Sequence, residues 1–308
     1  GGQYLDMLEQ ARAGQDDGAD GDAIVRAASG LELFQAAALI HDDVMDDSDT
    51  RRGMPAIHRR FADLHRGESW RGAPERFGQA AAILLGDLCL SWSDELLSGS
   101  GLDDAALARG RPVFDQMRTE LMGGQYLDML EQARPGSPGE AADRARQVIR
   151  YKSAKYTIEH PLLLGGALAG ASPELLASYS AFGLPLGEAF QLRDDVLGVF
   201  GDPEQTGKPA GDDLREGKRT VLVAFAMEKA SPQQQALMRR HLGDPRLDAA
   251  SVEALREVIV ETGALAEVER LVESLVAEAA AALDTSTVAE PARGVLVQLI
   301  AAATARRT

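Results

Sequence analysis

Two clusters of aspartates in this chain are spaced for metal-assisted chemistry on a polyphosphate. The first lies in LIHDDVMDDSDTRRG at 39–53. Asp42 and Asp46 are four residues apart, so on a helix their carboxylates share one face, with Asp43 beside them. Adjacent like charges repel unless a cation neutralises them. Hard divalent ions take oxygen ligands, and Mg2+ commonly joins one or two carboxylates to substrate phosphates. Arg51 and Arg52 follow at once, and guanidinium forks fit phosphate oxygens. Taken alone, a solvated charged helix end accounts for the motif about as well as a metal–diphosphate site.

The second cluster lies in FQLRDDVLGVFGDPEQTGKPAGDDLREGKRT at 190–220. Asp194 and Asp195 close an apolar stretch, and Lys208, Asp213, Lys218 and Arg219 follow in a Gly-rich loop. Glycines allow close approach to a polyanion and lysines supply point charges. Alone, this stretch reads better as a charged surface loop than as a binding loop. The pair is far more specific. Two helices that each present aspartates from one end of a bundle could hold several metals around one diphosphate.

The elements that must position these groups read as helices. Ala, Leu, Glu, Arg and Gln dominate, and strand-like alternation of β-branched residues is scarce. Ser172-Pro173 and Ser231-Pro232 mark helix starts, and Asp103 or Asp104 can cap a helix running to about Met122. Stops are expected at Gly99 to Gly101, Gly123-Gly124 and Pro135 to Gly139, with loops near 12–22, 64–76, 134–139 and 201–217. None of these loops reads as a domain linker. The expectation is an all-α chain: a single helical bundle domain over 1–308 with a central active-site cavity. GGQYLDMLEQAR stands at 1–12 and again, identically, at 123–134. Two copies do not make a repeat architecture, and the first is read as an anomaly of the N-terminal sequence.

Together the motifs, their order and their separation resemble those of the trans-isoprenyl diphosphate synthases, the polyprenyl synthetases. The first motif fits that family's first aspartate-rich motif, and the second fits its QxxDD…GKxxxxDLxxGK stretch. Between them, YKSAKYTIEHPLLLGGAL at 151–168 resembles the family's Lys-Thr segment, with Ser153 where Thr is usual, and GGQYLD at 123–128 is also similar. The resemblance spans roughly 22–230. It implies the isoprenoid synthase fold and a prenyl transferase that condenses isopentenyl diphosphate with an allylic diphosphate.

The resemblance also implies roles. Asp42 and Asp46 would ligate two Mg2+ ions with Asp43 in support, and Asp194 a third, while Asp195 and Asp213 would act through metal-bound waters. Arg51, Lys152, Lys208 and Lys218 would grip the allylic diphosphate, with Ser153 beside Lys152. Gln35 and Arg52 would hold isopentenyl diphosphate, and Gln191 would position the allylic group. Metals and cations aimed at the leaving oxygens would lower the barrier to ionisation. His41 and His58 are assigned only a role in orienting neighbours or facing solvent. Two departures stand out. Gly198 replaces a common third Asp of the second motif, and Gln3 and Tyr4 stand where N-terminal cations are expected. In such enzymes bulky residues four and five positions before the first Asp stop chain growth. Here those are Ala38 and Ala37, and Phe34 lies one turn deeper. Three residues advance about 4.5 Å along a helix, close to one isoprene unit, so the expected product is geranylgeranyl diphosphate. A class I terpene cyclase and a non-catalytic subunit of a heteromeric synthase are the alternatives.

Bulk properties narrow the classes. A net charge of -16 argues against nucleic-acid partners. Cys89 is the sole cysteine, which excludes an intrachain disulfide and suits a reducing cytoplasm. No apolar run reads as long enough to cross a bilayer, the longest being Ala80 to Trp92, broken by Asp87, so no stable membrane insertion is expected, and the opening residues do not read as a secretory signal. A homodimer is what the resemblance implies.

Overall fold

The computed structural model describes residues 18–133, 139–201, 211–244 and 246–304. Nearly all of them are helical, and the only sheet among the described residues is a two-stranded hairpin. The chain divides into two compact units, residues 1–107 and 108–308.

In the first unit, α1 (Gly18–Met45), α2 (Ile57–Gly67) and α3 (Pro74–Ser98) pack together, with α3 against both of the others. Leu31, Phe34 and Ala37 are buried on α1, and Ser93 Oγ of α3 donates to the Gly30 carbonyl at 2.6 Å. Helix α1 begins at Gly18, inside the stretch expected from sequence as a loop, because Ala23, Ala27 and Ala28 bury one face there. Over Gly21–Met45 the helix is long and apolar enough, by length and composition, to cross a bilayer. The sequence reading found no such run because Arg26 and Glu32 interrupt it. Between α1 and α2 runs the hairpin of β1 (Thr50–Arg51) and β2 (Met54–Pro55), antiparallel with Thr50 opposite Pro55. Its turn residues Arg52 and Gly53 have φ of 54° and 73°, as a two-residue hairpin turn of the primed type requires.

Helix α4 (Asp104–Ala133) leads into the second unit. Asp103 Oδ1 accepts from the Ala106 N–H at 2.6 Å and starts it. The expected stop at Gly123-Gly124 is absent: both lie inside α4, and Gly124 has a packing task described below. After α5 (Ala141–Val148) comes a π-helical stretch, Ile149–Glu159, then α6 (His160–Leu168) and α7 (Pro173–Phe200). Ser172 caps α7 by accepting from the Leu175 N–H. The remaining helices are α8 (Asp212–Arg215), α9 (Val221–Lys229), α10 (Pro232–His241, with a Ser231–Gln234 capping box), α11 (Ala249–Glu261), α12 (Ala264–Asp284) and α13 (Ala292–Thr304). Helix α8 falls within the expected 201–217 loop. One core gathers Leu192, Val196 and Val199 of α7 with Leu214, Leu222 and Leu255. Another gathers Phe182 and Leu186 of α7 with Leu283 and Leu296. Helix α7 is thus held along its length, which fixes the residues at its C-terminal end.

Candidate active site

The first aspartate motif sits where α1 ends. Asp42 and Asp43 lie in its last turn, and Asp46 follows the last helical residue, its N–H still bonded to the Asp42 carbonyl at 2.8 Å. Asp47, at φ 52°, ends the turn. The Asp43 carboxylate is almost fully buried. Arg51 reaches back to it from the hairpin, its Nε donating to Asp43 Oδ1 at 2.9 Å and its Nη2 to Asp42 Oδ2 at 3.3 Å. A buried carboxylate needs such a partner, since desolvation otherwise disfavours the charge.

A cavity of about 340 Å³ opens beside this pair. Gln35, Asp43, Arg51 and Arg52 all line it, with Glu32 and Arg60. Gln35, expected from sequence to hold isopentenyl diphosphate, is therefore brought together with Arg52, its expected partner in that task. Arg52 adopts a left-handed conformation that costs a non-glycine residue on the order of 1 kcal/mol.

In the second unit, Lys152 and Ser153 lie in the π-helical stretch. The Lys152 ammonium donates to Asp128 Oδ2 of α4 at 2.6 Å. Two glycines seat this stretch. A Cβ on Gly124 of α4 would lie 2.3 Å from the Lys152 backbone N, and one on Gly187 of α7 would lie 2.6 Å from the Ala154 carbonyl oxygen. Neither position tolerates a side chain without moving the backbone that carries Lys152. Lys155, one turn on, is engaged elsewhere, 3.0 Å from Glu120 and 3.6 Å from Glu159.

The second motif ends α7. Asp194 is exposed and Asp195 is buried, with Gln191 Nε2 donating to Asp195 Oδ1 at 2.9 Å. Asp213, at the start of α8, is also buried, and Lys218 Nζ lies 3.2 Å from its Oδ1. Burial holds the Asp195 carboxyl well above the usual carboxylate range, Asp213 and Asp194 push it further, and Gln191 and Lys218 act the other way. Lys208 and residues 1–17, with Gln3 and Tyr4, lie outside the described residues.

Among the described residues, no group of three or more His, Cys, Asp or Glu side chains is gathered as a closed metal site. Sites that take magnesium with a phosphate ligand do not need one, because one or two carboxylates per ion suffice. The all-oxygen donors at Asp194, Asp195 and Asp213, whose mutual repulsion adds to burial in raising Asp195 and would be relieved by a cation, fit a hard divalent ion.

The sequence matches the Polyprenyl synthetase family over residues 5–259. The chain belongs to the polyprenyl synthetase family. Its fold is accordingly the all-α isoprenoid synthase fold, and its chemistry is that of a trans-prenyltransferase family that uses isopentenyl and allylic diphosphates. Among solved structures, this polyprenyl synthetase resembles geranylgeranyl pyrophosphate synthase from Corynebacterium glutamicum, complexed with isoprenyl diphosphate and magnesium. That likeness is 42% identical with a TM-score of 0.93, covering 99% of this chain and 85% of that one. Geranylfarnesyl diphosphate synthase of Aeropyrum pernix is 34% identical over 80% of this chain and 71% of its own. Octaprenyl diphosphate synthase of Escherichia coli is 31% identical over 81% and 72%. The named products differ in length, so membership in the family does not fix this polyprenyl synthetase's product.

Sequence reasoning assigned no role to Asp128 or Arg60. Asp128 closes the GGQYLD segment already noted as similar to the family, so its signal was present. Arg60 carries no motif, and only the cavity singles it out.

Proposed function

We propose that the protein condenses isopentenyl diphosphate with an allylic diphosphate, farnesyl or shorter, to give geranylgeranyl diphosphate. The observation that carries this reading is the cavity in the first unit. Gln35 and Arg52 both line it, which supports a site for a second diphosphate that a cyclase acting on a single prenyl diphosphate does not need; Arg51, on the same cavity, is kept for the allylic diphosphate.

Asp42, Asp46 and Asp194 would hold magnesium, with Asp43, Asp195 and Asp213 in support. Bound there, the metal supplies Lewis-acid stabilisation of the diphosphate leaving group. Lys152, held by Asp128, and Lys218, held by Asp213, present ammonium groups to the allylic diphosphate and stabilise the charge that grows as its C–O bond breaks. Lys208 is proposed for the same task. Gln191 steadies Asp195 and orients the allylic end. Gln35 and Arg52 hold isopentenyl diphosphate so that its double bond meets the allylic carbon, an orientation effect. The proton then lost from the new chain passes to the departed diphosphate, so no protein base is required.

Chain length is read from α1. Phe34, Ala38 and Asp42 are spaced i, i+4 and i+8, so they share one helix face. Phe34 is 1% exposed and Ala38 is half-buried. A chain growing from Asp42 along that face would pass Ala38 and end at Phe34, about 12 Å away at 1.5 Å per residue.

A homodimer is part of the proposal. Leu84, Leu88 and Trp92 form an exposed apolar row on α3, and Met122, Tyr126 and Met129 are exposed on α4. The single, buried Cys89 supports a reducing cytoplasmic setting.

Incubation with labelled isopentenyl diphosphate and farnesyl diphosphate tests the reading. A labelled twenty-carbon diphosphate is expected. Conversion of farnesyl diphosphate alone to an unlabelled hydrocarbon would indicate a cyclase. No turnover by the purified chain, with activity only beside a second synthase, would indicate a subunit.

A further inference from the structure

We infer that Arg60 is a second cation of the isopentenyl diphosphate receptor, lining the same cavity as Gln35 and Arg52 and binding the diphosphate directly. The inference rests on the proposed function.

Three arginines line the cavity: Arg51, Arg52 and Arg60. Arg51 is tied to Asp42 and Asp43. The side chains of Arg52 and Arg60 make no hydrogen bond or ion pair among the described residues, and both are exposed. Pairing is the rule for their neighbours. Arg59 lies 3.0 Å from Asp47 and 2.9 Å from Asp49, and Arg66 pairs with Asp63 and Glu75. The Arg59-Arg60 pair therefore divides its work. Arg59 ties α2 to the end of the first motif, while Arg60 lines the cavity.

Helix geometry accounts for this direction. Ile57 and Arg60 are three residues apart on α2, so they share a face, and both line the cavity. The Arg60 N–H bonds to the Ala56 carbonyl at 3.0 Å, which fixes the first turn of α2 and with it the position of Arg60. Glu32 also lines the cavity, its Oε1 buried and without a hydrogen-bond partner among the described residues. Two exposed guanidinium groups without an ion-pair partner among the described residues, on a cavity that also carries Glu32 and Asp43, offer forks to a phosphate group. A diphosphate offers more oxygens than Arg52 and Gln35 can satisfy, and Arg60 supplies the additional fork.

The test is steady-state kinetics of Arg60→Ala and Arg60→Lys beside wild type, with Arg246→Ala as an exposed control remote in sequence. Loss of one charge-assisted contact is expected to raise KM for isopentenyl diphosphate about 10- to 100-fold in Arg60→Ala, leaving KM for the allylic substrate within about two-fold. Arg60→Lys should recover part of the loss, and Arg246→Ala should match wild type. An unchanged KM for isopentenyl diphosphate, or equal rises for both substrates, would overturn the assignment. Calorimetric titration with inorganic pyrophosphate, without metal, separates this inference from the proposed reaction. Weaker binding to Arg60→Ala is expected even if the wild type fails to condense the two substrates, and equal binding would refute the role of Arg60.

Discussion

The carboxylate of Asp213 occupies the space that a side chain at Gly198 would need: a Cβ built on Gly198 would lie 1.9 Å from Asp213 Oδ2. Gly198 stands where a third Asp is common in the second motif, and a side chain there would have to displace the Asp213 carboxylate. Asp213, set by the first turn of α8 and held by Lys218, fills that volume. Gly198→Asp, which restores the common motif, is expected to lower activity and raise the magnesium concentration required for half-maximal rate, because it displaces Asp213 and adds a like charge beside Asp195. A magnesium titration of the initial rate checks this, and an equal or improved enzyme would show that Asp213 has no fixed task.

Lys152 and Asp128 form a second such pair. In the proposed reaction Lys152→Ala takes a cation from the leaving group, so a fall in kcat on the order of 100-fold is expected. Asp128→Asn keeps the cation but loosens its position, so a smaller fall in kcat is expected. Gly124→Ala should resemble Lys152→Ala in direction, since its methyl group meets the Lys152 backbone. Single-turnover rates at saturating substrate separate these effects from binding.

Much of this was legible in the sequence, and the gaps have physical causes. Aspartate spacing and helix formers gave the fold class and both motifs, because 3.6-residue periodicity and charge repulsion act locally. Gly123-Gly124 read as a stop because glycine is a poor helix former, whereas packing against the Lys152 backbone overrides propensity. The π-helical turn at Ile149–Glu159 left no trace in composition. Nor did the pairing of Arg51 with Asp43, eight residues apart, which depends on a hairpin that only the turn at Arg52 and Gly53 creates. Alpha-helical boundaries near 18 and 212 were missed because alanine burial and a four-residue helix give weak local signals.

Ala37 and Ala38 are adjacent in sequence but differ in space. Ala37 is wholly buried and Ala38 is half-buried on the Asp42 face. Ala38→Phe is expected to shorten the product by at least one isoprene unit while the fold holds. Ala37→Phe should overpack the first unit, costing about 1–3 kcal/mol in stability. Chromatography of the dephosphorylated products and a denaturant melt distinguish the two, and an unchanged product from Ala38→Phe would remove the chain-length argument.

His58 is buried, with neither ring nitrogen hydrogen-bonded among the described residues. Burial lowers its pKa from the ordinary 6.5, Arg59 lowers it further, and Asp47, Asp43 and Asp49 oppose. The folded state thus prefers neutral His58. As pH falls through the unfolded pKa, near 6.5, the unfolded chain takes the proton first and stability is lost. The loss ends once pH passes below the depressed folded value. Wild type should therefore lose more stability between pH 7.5 and 5.5 than His58→Phe does, as read from urea midpoints. Equal losses would show that His58 does not titrate differently on unfolding.

The central claim is that both aspartate motifs serve one ionisation–condensation reaction. The most direct measurement is the rate of label transfer from isopentenyl diphosphate into prenyl product by wild type, Asp42→Asn, Asp194→Asn and the double variant. The account predicts active wild type, single losses on the order of 100-fold or more, and a double loss close to that of the worse single variant, as residues acting as a unit give. An inactive wild type, or losses that multiply as for independent sites, would contradict it.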